Sequence, residues 1–298
     1  MKKILIVTAI WQRHDLTSIV LDWYNQIKQS GEFDLELLAV GSEGMISRKV
    51  AQTNGWDYVE FENKPVSCKF NFLFREAKKY DPDFILLVGS DDIISTKTIK
   101  FFSEKVSENE NDIFGLKDLF FYDIQTDSTV YFGGYPPPSP KTIGAGRCFS
   151  RNVLQKCNYK PWGNDTLDRG LDTSCTNYLQ RFGVGERVFT MKETGGVCLD
   201  IKHPSESLTP FEFLNTYSNK AVNEVLEVEH LELIEKVQKL RKTFNFDLEK
   251  MYRVFVTKEF HNGRRTLYWK KNIEVNGKLL GELASQEMFE LGTEIELK

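Results

Sequence analysis

The stretch Phe84-Ile85-Leu86-Leu87-Val88-Gly89-Ser90-Asp91-Asp92 is a short apolar run that stops abruptly at two adjacent carboxylates. A strand this dry lies inside a sheet, so its end delivers both aspartates to one rim. Carboxylates gathered there need a compensating cation, and a hard divalent ion with phosphate oxygens suits them. Asp is also common in a plain surface turn after a strand. The rest of the chain has to decide between the two.

Outward from this strand the pattern alternates. Residues 2–9 read as a buried strand and 14–29 as a helix through Ile19, Val20, Trp23 and Ile27. A second strand covers 33–40, a short helix 45–53, a brief strand 57–61 and a further helix 67–80. Strands alternating with helices over short connections predict an α/β fold: a three-layer sandwich around a mostly parallel sheet. In such sheets ligands bind beyond the carboxyl ends of the strands, where loops 9–14, 41–45 and 89–93 converge.

After residue 110 the pattern changes. Residues 112–125 and 129–133 read as two strands joined at Asp127-Ser128, and Tyr135-Pro136-Pro137-Pro138-Ser139-Pro140 as a rigid loop. Thr142 to Arg147, with Gly144 and Gly146, reads as a mobile, anion-friendly loop. Helical segments follow at 149–157 and 170–182, then a strand at 197–201 that leads to His203. The first 208 residues are expected to form one domain. Residues 209–298 are expected to form an appendage, with helices at 211–218 and 222–243 and a β-rich end with turns at Asn262-Gly263 and Asn276-Gly277. In the longer helix, Val225, Val228, Leu231, Ile234 and Val237 give one apolar face. That face suits either the main domain or self-association through the tail.

Composition narrows the class. The chain has 298 residues and a formal net charge of -4, which gives no global drive toward nucleic acid and leaves room only for a local basic groove. No segment is long enough for a transmembrane helix. Five scattered cysteines without a close CxxC pair fit a reducing, cytoplasmic setting. There is no Walker A spacing and no GxGxxG after the first strand, so P-loop and nicotinamide-nucleotide readings lose ground.

Several side chains carry chemistry. Asp91 and Asp92 come first, and His203 offers a nitrogen donor that completes a manganese site. Asp172, at a helix start, is placed to take a proton from an attacking hydroxyl, with Asp165 and Asp168 as nearby competitors. Arg13, Lys69 and Asn71 suit a nucleotide phosphate or base at the sheet rim. Trp162 offers a flat face to a sugar ring or to the core.

These residues resemble the GT-A fold glycosyltransferases, especially the broad family 2 of nucleotide-sugar-dependent enzymes, over roughly residues 1–203. The resemblance implies that the first strand and its loop, here Ala9 and Arg13, hold the nucleotide together with Lys69 and Asn71. It implies that Asp91-Asp92 bind ribose, diphosphate and Mn2+ or Mg2+, with His203 completing the metal site. It places the general base at Asp172, eleven residues before Gly183. Three positions depart from the family pattern. Gly89 stands where an Asp is common, Glu43 has to replace an acidic nucleobase contact, and Leu171-Asp172 lacks the paired acid. The implied reaction moves a sugar from a nucleoside-diphosphate sugar, a UDP-sugar first among them, to a saccharide or other hydroxyl acceptor, with inversion. The other readings are a retaining enzyme of this fold, a nucleotidyltransferase and a non-catalytic binding protein.

Overall fold

Strand β1 (Lys3–Ala9) is buried at every interior position because it is covered on both faces. It lies parallel to β2 (Asp34–Gly41) on one side and to β4 (Phe84–Leu87) on the other. Beyond β2 comes β3 (Asp57–Glu60), also parallel. Beyond β4 come β9 (Arg147–Ser150), β6 (Ile113–Leu116) and β10 (Glu186–Phe189). Only β9 is reversed in this seven-stranded sheet of order β10-β6-β9-β4-β1-β2-β3. This computed structural model describes residues 2–124, 127–135, 141–202, 219–220 and 228–240, and the backbone of strands within 251–296.

The period of two along each strand builds the three layers. Ile4 and Ile6 join a core with Leu16, Val20 and Trp23 of α1 (His14–Ser30) and Ile99, Phe102 and Val106 of α4 (Thr96–Glu108). Leu5 and Val7 join a second core with Leu73 and Phe74 of α3 (Val66–Ala77), Val153 and Leu154 of α5 (Arg151–Lys156), and Leu179 of α6 (Leu171–Gln180). Helix α2 (Met45–Thr53) connects β2 to β3. The three-layer α/β architecture around a mostly parallel sheet, expected from the sequence, is the one observed. Element β5 (Asp92–Ile94) and helix α4 have no counterpart in the expected alternation.

The single strand expected over 112–125 is two. It breaks at Lys117-Asp118 into β6 and β7 (Leu119–Asp123), which belong to different sheets. Buried Asp118 makes the break, accepting the Met191 amide at 2.8 Å and the Tyr131 hydroxyl at 2.8 Å. Met191 opens α7 (Met191–Thr194), a short helix closed at its start by a Thr190–Glu193 capping box. The second sheet has the order β12-β8-β7-β11-β5, with β8 at Ser128–Phe132, β11 at Cys198–Lys202 and β12 at Asn219–Lys220.

The tail helix α8 (Val228–Gln238) docks on α1 of the same chain. Among its described side chains the buried ones are His230, Leu233, Ile234 and Val237, the i, i+3, i+4, i+7 spacing of one helix face. Leu231, expected on the apolar face from the three-residue spacing, is 43% exposed. A strict three-residue period drifts around a helix of 3.6 residues per turn, so it cannot hold one face. His230 stacks on Trp23 with centroids 5.2 Å apart, and Lys236 pairs with Asp22 at 3.2 Å. Further on, β13 (Met251–Val256) pairs with β16 (Lys271–Asn276) and β17 (Ile295–Glu296), and β14 (Phe260–Asn262) with β15 (Arg265–Leu267). His203, Pro136 to Pro140, Gly263, Gly277 and the helix expected over 211–218 lie outside the described residues.

Candidate active site

The C-terminal edge of β1, β2 and β4 gathers three loops, and side chains tie them together. Arg13 donates to Asp91 Oδ2 at 2.5 Å and to Ser90 Oγ at 3.0 Å, linking the first loop to the end of β4. Glu43 accepts the Gln12 amide at 2.9 Å and sits 2.9 Å from His14 Nε2, linking the second loop to the first. Lys69 is buried beneath both. Its Nζ donates to Ile10 O at 2.8 Å, Ser42 Oγ at 3.2 Å and Asn63 Oδ1 at 3.1 Å. Burial lowers the Lys69 ammonium to about 8, with Glu43 pulling the other way. Ala9 ends β1 in register with Val40 at the same rim. Gln12 and Arg13 both adopt left-handed backbone, φ 55° and 48°. That conformation costs a non-glycine residue roughly 1–2 kcal/mol, and here it turns Arg13 back onto Asp91.

The acidic cluster is larger than the two adjacent aspartates. Strand β11 pairs antiparallel with β5 so that Asp200 stands opposite Asp92. Asp91, Asp92 and Asp200 bring carboxylate oxygens within 4.8 Å of one another. Burial raises the Asp92 carboxyl well above its ordinary value, and Asp200 and Asp91 raise it further. Burial likewise raises Asp200, and the adjacent Lys202 pulls it back. Lys202 donates to Asp200 Oδ2 at 2.8 Å and lies 4.9 Å from the centroid of the Phe121 ring. Asp200 Oδ1 is buried with no hydrogen-bond partner among the described residues. An orphaned carboxylate oxygen beside two further carboxylates is the donor set a hard divalent cation takes, so the residues present fit Mg2+ or Mn2+.

Asp200 and Lys202 are absent from the residues the sequence singled out. Their signal is there in Cys198-Leu199-Asp200-Ile201-Lys202, where two charges at i and i+2 interrupt a buried strand. A charge on the dry face of such a strand needs a partner.

Gly89 has a local reason. Its amide donates to Asp92 Oδ2 at 2.7 Å, and a Cβ there would stand 2.7 Å from that same oxygen and 2.9 Å from Asp91 Oδ1. The carboxylates fold back onto the backbone, and only glycine leaves them room.

Asp172 lies in the first turn of α6 across the Gly144–Arg147 turn from this cluster. A Cβ at Gly144 would be 2.9 Å from Asp172 Oδ1, and the Gly146 amide donates to Leu87 O at 2.9 Å, at the end of β4. Tyr135 donates to Asp172 Oδ2 at 3.0 Å. The turn expected to be mobile and anion-friendly is pinned. Arg147 is buried, and it donates to Thr142 Oγ1 at 2.8 Å, Thr142 O at 2.8 Å and Asp172 O at 3.2 Å. Its guanidinium is an internal strut beneath α6.

Three other singled-out side chains are committed to structure. Asn71 is buried, donating to Trp162 O at 2.7 Å and Asp165 Oδ1 at 2.6 Å, which clamps the loop before α6. Asp168 accepts the Val66 amide at 3.0 Å. Trp162 is core, stacked on Phe70 and edge-on to Phe74.

No protein-family model matches the chain, and no curated protein matches it by sequence. Solved structures similar to it include Staphylococcus aureus TarS, 14% identical with a TM-score of 0.46 over 68% of this chain. The chain spans 37% of the length of TarS. The structure of TarS 1–349 in complex with UDP gives the same identity and score and is covered over 61% of its length. The inositol-1-phosphate CTP transferase from T. maritima is 14% identical with a TM-score of 0.43, covering 81% of this chain and 98% of its own.

Proposed function

We propose that this protein is a nucleotide-binding transferase, and within that class a metal-assisted glycosyltransferase moving sugar from a nucleoside-diphosphate sugar to a hydroxyl acceptor. The observation that carries the reading is the convergence at one sheet rim of three loops, a three-carboxylate cluster with an orphaned oxygen, and Asp172 across one turn.

Asp91, Asp92 and Asp200 would hold a divalent ion, with His203 following β11 as a further donor. When bound, that ion neutralises charge on a diphosphate leaving group. Arg13, already aimed at the cluster, is placed to bind phosphate oxygens once released from Asp91. Lys69, Glu43 and the Ala9 edge frame the nucleoside end of the rim. Asp172 takes the proton of the acceptor hydroxyl as its oxygen attacks the anomeric carbon and the diphosphate departs, which inverts the configuration. Tyr135 holds the Asp172 carboxylate in place through one hydrogen bond.

A thermal-shift screen of nucleotide sugars with and without Mn2+ tests the assignment. A Mn2+-dependent rise for a uridine or guanosine sugar, lost in Asp91→Ala, is expected. No metal-dependent shift with any nucleotide sugar would refute it.

A further inference from the structure

Helix α6 has a second face. Cys175, Thr176 and Leu179 are buried, while Thr173, Ser174, Asn177 and Arg181 line an open cleft of about 540 Å³. That volume lies within the range of small-molecule sites. The opposite wall is the loop 163–170, and it is rigidly built. Ser67 exchanges hydrogen bonds with Leu167 at 2.9 and 3.0 Å, Asn71 holds Asp165, and Asp168 caps the start of α3. Those bonds engage the loop's polar groups on the α3 side and leave Arg169 turned to the cleft. Neither Arg169 nor Arg181 has a carboxylate partner among the described residues; Arg181 lies over the Tyr178 ring at 5.9 Å.

Arg169 precedes α6 and Arg181 follows it, so the two cations flank a ten-residue helix about 15 Å long at 1.5 Å per residue. The residues between them offer hydroxyl and carboxamide groups beside Leu167 and the Tyr178 ring, a mix that suits a hydroxyl-rich chain. We propose that this cleft binds an extended oligosaccharide bearing anionic groups, with Arg169 and Arg181 as its two charge anchors. Asp172 lies on the other, Gly144-facing side of α6, so this binding stands apart from the transfer reading above.

Isothermal titration of the full chain with a sulfated heparin hexasaccharide, with neutral cellohexaose and with a single-stranded oligonucleotide tests this. The sulfated sugar is expected to bind best. The double variant Arg169→Ala/Arg181→Ala and the cleft-filling Asn177→Trp should each weaken it about tenfold or more, with unchanged melting temperature. The nucleotide-sugar thermal shift should be the same in these variants as in the parent. Failure of the parent to bind the sulfated sugar, equal binding of cellohexaose, tighter binding of the oligonucleotide, or unchanged affinity in the double variant would overturn the proposal. Loss of the nucleotide-sugar shift in the parent would count against the transfer reading alone.

Discussion

The Gly89 amide and the Asp92 carboxylate are locked together at 2.7 Å, and the same approach excludes any side chain at residue 89. Gly89→Ala should therefore displace Asp92 and Asp91 together. The expected result is a folded protein whose Mn2+-dependent nucleotide-sugar affinity falls about tenfold or more. Calorimetric titration with parental affinity would show that the carboxylates tolerate the shift.

Three buried carboxylates with two cations are poorly balanced, and the imbalance has a sign. Asp92 and Asp200 have folded-state values raised above their unfolded ones, so the folded protein binds more protons. The stability they contribute is full below the unfolded carboxyl range and is lost as pH rises above it. Asp92→Asn should thus stabilise the metal-free protein at neutral pH by on the order of 1–3 kcal/mol, with the gain vanishing toward pH 4. The same variant should lose its Mn2+ response. Urea unfolding across this pH range gives the answer, and a destabilised variant at neutral pH would contradict it.

Lys69 shifts the other way. Its ammonium is lowered to about 8 by burial, so the unfolded chain binds the extra proton between that value and its ordinary one. Its contribution to stability should rise with pH across that window. NMR titration of 13C-labelled lysines should resolve one resonance titrating near 8 that disappears in Lys69→Met. A Lys69 resonance that titrates with the surface lysines would rule the shift out.

Asp172→Asn should lower transfer by about 10²–10⁴-fold and leave donor binding intact. Tyr135→Phe removes one hydrogen bond to that carboxylate and should cost much less, with a displaced pH–rate profile. Transfer at the parental rate in Asp172→Asn would exclude it as the base.

The docked face of α8 can be read by truncation. Leu233→Ala and Ile234→Ala should each cost about 2–5 kcal/mol, as buried deletions do. Leu231→Ala should fall within about 0.5 kcal/mol of the parent. Chemical denaturation showing equal losses at all three positions would contradict this orientation.

The parallel half of the fold is legible because its signals are local. Continuous apolar runs such as Phe84 to Val88 and helical spacing in α1 need no distant partner to interpret. The second sheet is not legible in that way. The break at Asp118 depends on Met191 and Tyr131, and the pairing that sets Asp200 opposite Asp92 joins residues far apart in the chain. The roles of Asn71 and Arg147 were hidden for the same reason: side chains of the type that holds ligands are here holding loops. What makes Asp91 and Asp92 readable is the strand that ends at them. What makes Asp200 harder to read is that its partner is another strand.

The seating of α8 on α1 also bears on how the chain is made. Trp23 leaves the ribosome about two hundred residues before Leu233, Ile234 and Val237, which complete the core shared with α1. Until then one flank of α1 stays bare, and a nascent chain stopped short of Val237 would present an apolar stripe that chaperones or neighbouring chains bind. Translation must therefore run through α8 before the rim that carries Arg13 and Asp91 rests on a finished helix.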